Sequence, residues 1–247
     1  MFTIVPVPLG WHADAELRAG SALRWLPFVG AGLGGVAGLV ASVVLARAEG
    51  AALLAAALSV GALELLTRGL HLDGLADTAD GLGSGAPADR ALAIMKQSDI
   101  GAFGVATIVS VLLVDVAALA AATSGDLWRA PAALAVAAAT GRLAVVHAAL
   151  RGIPAARPGG FGALVAGGVS PLEAAALTIV VLGGGAGLAV SVDAPMAGWV
   201  AAQAGALVVT AALRWHCTRR FGGITGDVFG AVVEVATAAT LVGLALA

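Results

Sequence analysis

The chain has 247 residues, 60% hydrophobic and 11% charged, with a mean hydropathy of +1.00 and a formal net charge of −2. An ordinary soluble domain carries about 25% charged residues, so this is an integral membrane protein, and its charge excludes a bulk nucleic-acid role. The one cysteine, Cys217, excludes an internal disulfide. The lack of alternating ten-residue stretches excludes a β-barrel.

In chain order, Pro6 and Pro8 make residues 1–9 an extended start. Residues 11–26 are expected to form an interfacial helix carrying Arg18 and Arg24. No basic residue precedes Arg18 and no long apolar core follows, so the start does not read as a secretory signal. A first span is expected over residues 27–46, opened by Pro27. Its Gly30, Gly34 and Gly38 recur every four residues, a ridge that lets a neighbouring helix or subunit come close. The second span covers 51–70, with Glu64, Arg68 and His71 at i, i+4 and i+7 on one face. After a charged stretch come spans over 101–122, with Asp115, and 131–150, with Arg142 and His147. Spans over 174–192, 196–215 and 227–246 complete the pattern. The expected fold class is all-α: a polytopic membrane bundle of about seven transmembrane helices. It reads as one catalytic membrane domain over residues 1–247, with 1–26 as a cytoplasmic or interfacial segment and 27–247 as the bundle.

The basic residues set an orientation. With seven spans, ten of the 13 fall on the side of the N-terminus, only Arg47 and Arg129 fall on the other, and Arg142 lies within the membrane. The N-terminus is therefore expected in the cytoplasm. Trp25, Trp128, Trp199 and Trp215 fall near span ends, as an aromatic belt requires.

On the cytoplasmic side, residues 67–104 gather Asp73, Asp77, Asp80, Asp89 and Asp99 with Arg68, His71, Arg90 and Lys96. Asp73, Asp77 and Asp80 stand at i, i+4 and i+7, one face of a helix. Like charges there repel, and a divalent cation such as Mg²⁺ or Mn²⁺ would give them a reason to meet. The alternative is a solvated acidic loop. A second polar segment on this side, residues 214–227, carries Gly222, Gly223 and Gly226, whose backbone can approach a phosphate. Asp227 and Glu234 lie at i and i+7 on the last helix, with Asp227 near its start. Counting along the helices, Glu234 lies about 10 Å deep and Arg142 about 12–13 Å, so they could pair, whereas Asp115, near 20 Å, matches neither well. His12, His147 and His216 read as structural or interfacial, and His71 as a base or substrate contact. No paired Cys or His spacing supports zinc.

The runs GLHLDGLADTADGL, DRALAIMKQSDIGAFG and GGITGDVFGAVVEV, with TIVPVP and LRWLPFVGAGLGG at the start, resemble the cobalamin synthase family of adenosylcobinamide-GDP ribazoletransferases. The resemblance runs from about Thr3 to Glu234. It implies a Mg²⁺-dependent transfer in which α-ribazole, or its 5′-phosphate, attacks adenosylcobinamide-GDP and releases GMP, at a bacterial inner membrane. On that reading Asp73, Asp77, Asp80, Asp227 and Glu234 hold metal, and Asp77, Asp80 or His71 serve catalysis. Arg68, Arg90, Lys96, Arg142, Gly223 and Thr225 contact substrate phosphates. Asp99 departs from the family, which often has a basic residue there, leaving Arg90 or Lys96 to serve. A homo-oligomer stays open. Asp77 to Gly81 is also similar to the CDP-alcohol phosphotransferase motif, but Ala88-Asp89-Arg90 breaks that pattern. A secondary transporter using Asp115, Arg142 and Glu234 as an ion path is a third reading, without the internal repeat such folds show.

Overall fold

The computed structural model describes residues 22–48, 50–123 and 126–247; the extended start and most of the interfacial helix expected over residues 11–26 lie outside these. Ten helices occur among the described residues. They are α1 (Leu26–Leu45), α2 (Ala52–Thr67), α3 (Leu70–Gly83), α4 (Ala88–Ile94) and α5 (Ala102–Ala122). Then follow α6 (Arg129–Ala148), α7 (Gly160–Val165), α8 (Pro171–Ser191), α9 (Met196–Phe221) and α10 (Gly226–Ala245). No strand is formed among the described residues, only the isolated bridges Leu150–Val169 and Ala155–Ile224.

Six of these helices (α1, α5, α6, α8, α9 and α10) are long and apolar enough to cross a membrane. The remaining expected span is the bent pair α2–α3, whose axes turn by 90° at residues 68–69. The break has a local cause. Arg68 and Gly69 both take left-handed backbone, with φ of 59° and 62°, and the Gly69 amide closes the helix end on Glu64 O at 2.9 Å. Glu64, Arg68 and His71 therefore do not share one helix face, because the chain turns between them. The glycine after Arg68 was the signal.

Helix α6 is the axis of the bundle: nearly all its side chains are buried. It owes this to small residues on both sides of the contact. A Cβ on Gly30, Gly34 or Gly38 would run into the backbone of Ala138, Leu134 or Pro131, so the glycine ridge of α1 packs on α6 within the same chain. Helices α5, α8 and α9 instead expose Leu113, Ile179 and Val208, apolar residues facing outward as a lipid-contacting surface does. Trp25, Trp128 and Trp215 are exposed near helix ends, but Trp199 is 4% exposed and belongs to the core, not to the belt. Helix α9 runs on to Phe221, so Arg214, His216, Arg219 and Arg220 extend a long helix and do not form a loop. His147 bonds the Thr178 hydroxyl at 2.8 Å, in keeping with a structural role.

Candidate active site

The arm α3 carries the three aspartates on one helix, as their spacing predicts, and lies across the first turns of α10. The crossing is made by two glycines. A Cβ on Gly74 would stand 2.7 Å from Asp227 O, and one on Gly230 would stand 3.0 Å from His71 O. Backbone on backbone, the crossing sets Asp77 beside Asp227 and His71 beside Glu234. Thr225 caps α10, its hydroxyl accepting from the Val228 amide at 3.2 Å.

Beyond the 90° turn α3 leaves the spanning direction, and Asp77 sits among like charges. Burial, then Asp227, Asp73 and Asp80, push its carboxyl up to about 7 against the pull of Arg157. Even with Arg157 acting on both Asp77 and Asp227, burial and the neighbouring carboxylates dominate, and a carboxylate pair so placed suits an added cation. No three His, Cys, Asp or Glu side chains close on one point among the described residues. Mg²⁺ does not need that many, since it is usually held by one or two carboxylates with water and substrate phosphates completing its shell. The donor set therefore fits.

The five carboxylates expected to hold metal divide. Asp77 and Asp227 interact electrostatically, and Asp73, exposed one turn away, acts on both. Asp80 is engaged elsewhere, its oxygens accepting from the amides of Gly101 at 2.7 Å and Gly104 at 2.9 Å and so holding the start of α5. Glu234, two turns deeper and 3% exposed, lies 3.8 Å from His71 Nδ1. It belongs to a buried polar group in which Arg142 interacts with both Glu234 and Glu64. Arg142 and Glu234 are thus within electrostatic reach of one another but form no direct ion pair among the described residues. Asp115, 2% exposed, joins the same group through Glu64 and Glu234, contrary to its depth along the sequence. A count along one helix says nothing of how far that helix is offset from its neighbours, so the three depths shared no common baseline.

Two cavities meet at this site. One, about 350 Å³, is lined by Lys96, Arg157, Phe161, Thr225 and Asp227. The other, about 440 Å³, is lined by Arg68, His71, Asp73, Phe161, Asp227 and Phe229. Asp227, Gly226 and Phe161 line both, so the cavities adjoin. Of the expected phosphate contacts, Lys96, Thr225 and Arg68 line a cavity. Arg90 is exposed outside both, and Arg142 lies behind them at 5% exposure. Gly223 is close to backbone, but to that of Ala155 and Ala156, where residues 154–156 pair with Ile224. A larger cavity, about 770 Å³, is an apolar groove among α5, α9 and α10, far from these charges.

Arg157 was not singled out in the sequence. It interacts with both Asp77 and Asp227, and its loop is brought there by the Ala155–Ile224 bridge. The available signal was compositional, a loop rich in Gly, Pro and Arg on the same side as the aspartates.

The family model described as cobalamin-5-phosphate synthase matches residues 1–245 of this chain. A Frankia casuarinae protein named adenosylcobinamide-GDP ribazoletransferase is 41% identical over 267 residues, covering 100% of this chain and 92% of the relative. Proteins of the same name from Brucella ovis and Brucella canis are 35% identical over 258 residues, covering 98% of this chain and 92% of theirs. No solved structure matches.

Proposed function

The chain belongs to the cobalamin-5-phosphate synthase family, and we propose that it is a cobalamin synthase, with adenosylcobinamide-GDP as donor and α-ribazole, or its 5′-phosphate, as acceptor. A ribose hydroxyl of the acceptor attacks the cobinamide-linked phosphorus. The new P–O bond forms as the bond from that phosphorus to the bridging oxygen breaks. GMP departs with that oxygen and its electron pair, and the hydroxyl proton passes to a carboxylate of the Asp77–Asp227 pair. The product is adenosylcobalamin or its 5′-phosphate.

The observation that carries this reading is the electrostatic interaction of Asp77 with Asp227, 150 residues apart in the chain, the second of which lines both of two adjoining cavities. A two-substrate transfer needs two adjoining spaces with the reacting groups between them. Mg²⁺ is the proposed cofactor, held by Asp77 and Asp227 with Asp73 beside them; when bound it offsets charge on the phosphates. Lys96 and Arg68 are the proposed phosphate contacts, and the Thr225–Gly226 backbone at the start of α10 offers amides to an anion. Asp80 is left to hold α5, and His71 orients Glu234 at the floor of the second cavity.

The test is turnover by purified protein in lipid, each acceptor supplied in turn, with GMP release followed with and without Mg²⁺. Absence of GMP release from both acceptors in Mg²⁺ would overturn the reading. The site is proposed to face the cytoplasm of a bacterial inner membrane, on the asymmetry of the basic residues. In a Cys217→Ala background, a cysteine at Ala86 should react only from that side and one at Asp126 only from the other.

A further inference from the structure

Arg157 stands on the loop between α6 and α7 and lines the cavity that also holds Lys96, Thr225 and Asp227. One of its Nη atoms donates to Leu92 O of α4 at 2.7 Å, which fixes the side chain against the short helix. Its Nε is buried without a hydrogen-bond partner among the described residues. Its charge acts on both Asp77 and Asp227, yet among the described residues it makes no direct ion pair with either. A guanidinium with spare donors is thus held short of two carboxylates, with cavity beside it.

Three tethers keep it there. The Ala155–Ile224 bridge ties the loop to the strand-like lead into α10, with the Ile224 amide on Pro154 O and the Ala156 amide on Ile224 O, both at 2.9 Å. The third is the bond to Leu92. A cation placed only to neutralise Asp77 and Asp227 would close on them, because direct contact is the stronger arrangement. A planar fork held back from them by its own anchors matches a bidentate phosphate instead.

We infer that Arg157 is a substrate-binding residue of this site, holding the diphosphate of the donor beside the Asp77–Asp227 pair. The assignment rests on the proposed transfer reaction and deepens it. It makes a demand that a structural role does not. Arg157 and a divalent cation are both positive neighbours of the same carboxylates, so they oppose one another electrostatically, while both attract the diphosphate. Removing Arg157 should therefore weaken diphosphate binding without weakening metal binding.

The experiment uses the full chain in lipid nanodiscs, with two probes measured separately: Mn²⁺ alone, and GDP at saturating Mg²⁺. In Arg157→Gln, GDP affinity should fall by about tenfold or more, the effect of losing a charge-assisted hydrogen-bond pair, while Mn²⁺ affinity is unchanged or rises. Arg157→Lys keeps the charge without the fork and should recover GDP affinity only in part. Equal GDP affinity in wild type and Arg157→Gln would overturn the inference. So would loss of both GDP and Mn²⁺ binding in Arg157→Gln and in Arg157→Lys, since the residue would then be holding the loop. A wild type that binds Mn²⁺ but not GDP would instead defeat the proposed reaction itself, and the inference with it.

Discussion

Gly74 of α3 and Gly230 of α10 cross with nothing between their backbones: a Cβ added to Gly230 would stand 3.2 Å from Gly74 Cα. The approach of α3 to α10 follows from this contact. It lets the arm rest on the first turns of α10, so that Asp77 meets Asp227 at one level and His71 meets Glu234 at another. A Gly74→Val substitution has no room, since even its Cβ would press on Asp227 O at 2.7 Å. Displacing the arm by an ångström should lower turnover about a hundredfold in protein that still folds. Gly183→Ala, where an added Cβ meets nothing within 4 Å, is the control and should be silent. Equal activity in both variants would show that the crossing does not set the site.

Asp77 and Asp227 should act as one unit. Asp77→Asn and Asp227→Asn are each expected to abolish turnover and the response to Mg²⁺ while leaving the protein folded. The double variant should be scarcely worse than either single one, the behaviour of residues that serve one function together. A rate and Mg²⁺ response retained in Asp227→Asn but lost in Asp77→Asn would assign the ion to α3 alone.

Asp80 should separate from its two helix neighbours. Its carboxylate holds the amides of Gly101 and Gly104, so Asp80→Ala is expected to cost about 1–3 kcal/mol of stability. The Mg²⁺ concentration needed for half-maximal rate should not move. Thermal unfolding in lipid and a Mg²⁺ titration of the rate check the two halves of this statement. A large shift in the Mg²⁺ requirement with unchanged stability would return Asp80 to the metal site.

Arg142 brings the guanidinium to a buried group with Glu64, Asp115 and Glu234. Arg142→Met leaves those carboxylates buried without their nearby cation, and an uncompensated buried charge costs about 3–5 kcal/mol. The expected outcome is a marked fall in the yield of folded protein. Double replacement with Glu234→Gln should restore part of it. If Arg142→Met folds normally and only raises the KM for the donor, the residue reaches substrate after all.

The sequence alone determined the all-α membrane class, the positions of six apolar spans, the helical placement of Asp73, Asp77 and Asp80, and Asp227 at the start of its helix. These are legible because they depend on composition, on a 3.6-residue period and on helix-start chemistry, all of them local. It also carried the family resemblance, through runs that lie nearly unbroken in the chain. Tertiary structure decided the rest. The turn at Arg68 and Gly69 took the arm off its span, and two glycines 156 positions apart let it close on α10. The same packing gave Asp80 to the start of α5, withdrew Arg142 and Glu234 into the bundle, and brought in Arg157 from a loop with no motif. In each case the deciding quantity was how closely two distant backbones can approach, and which charges are desolvated when they do. Neither is a property of any one stretch of residues.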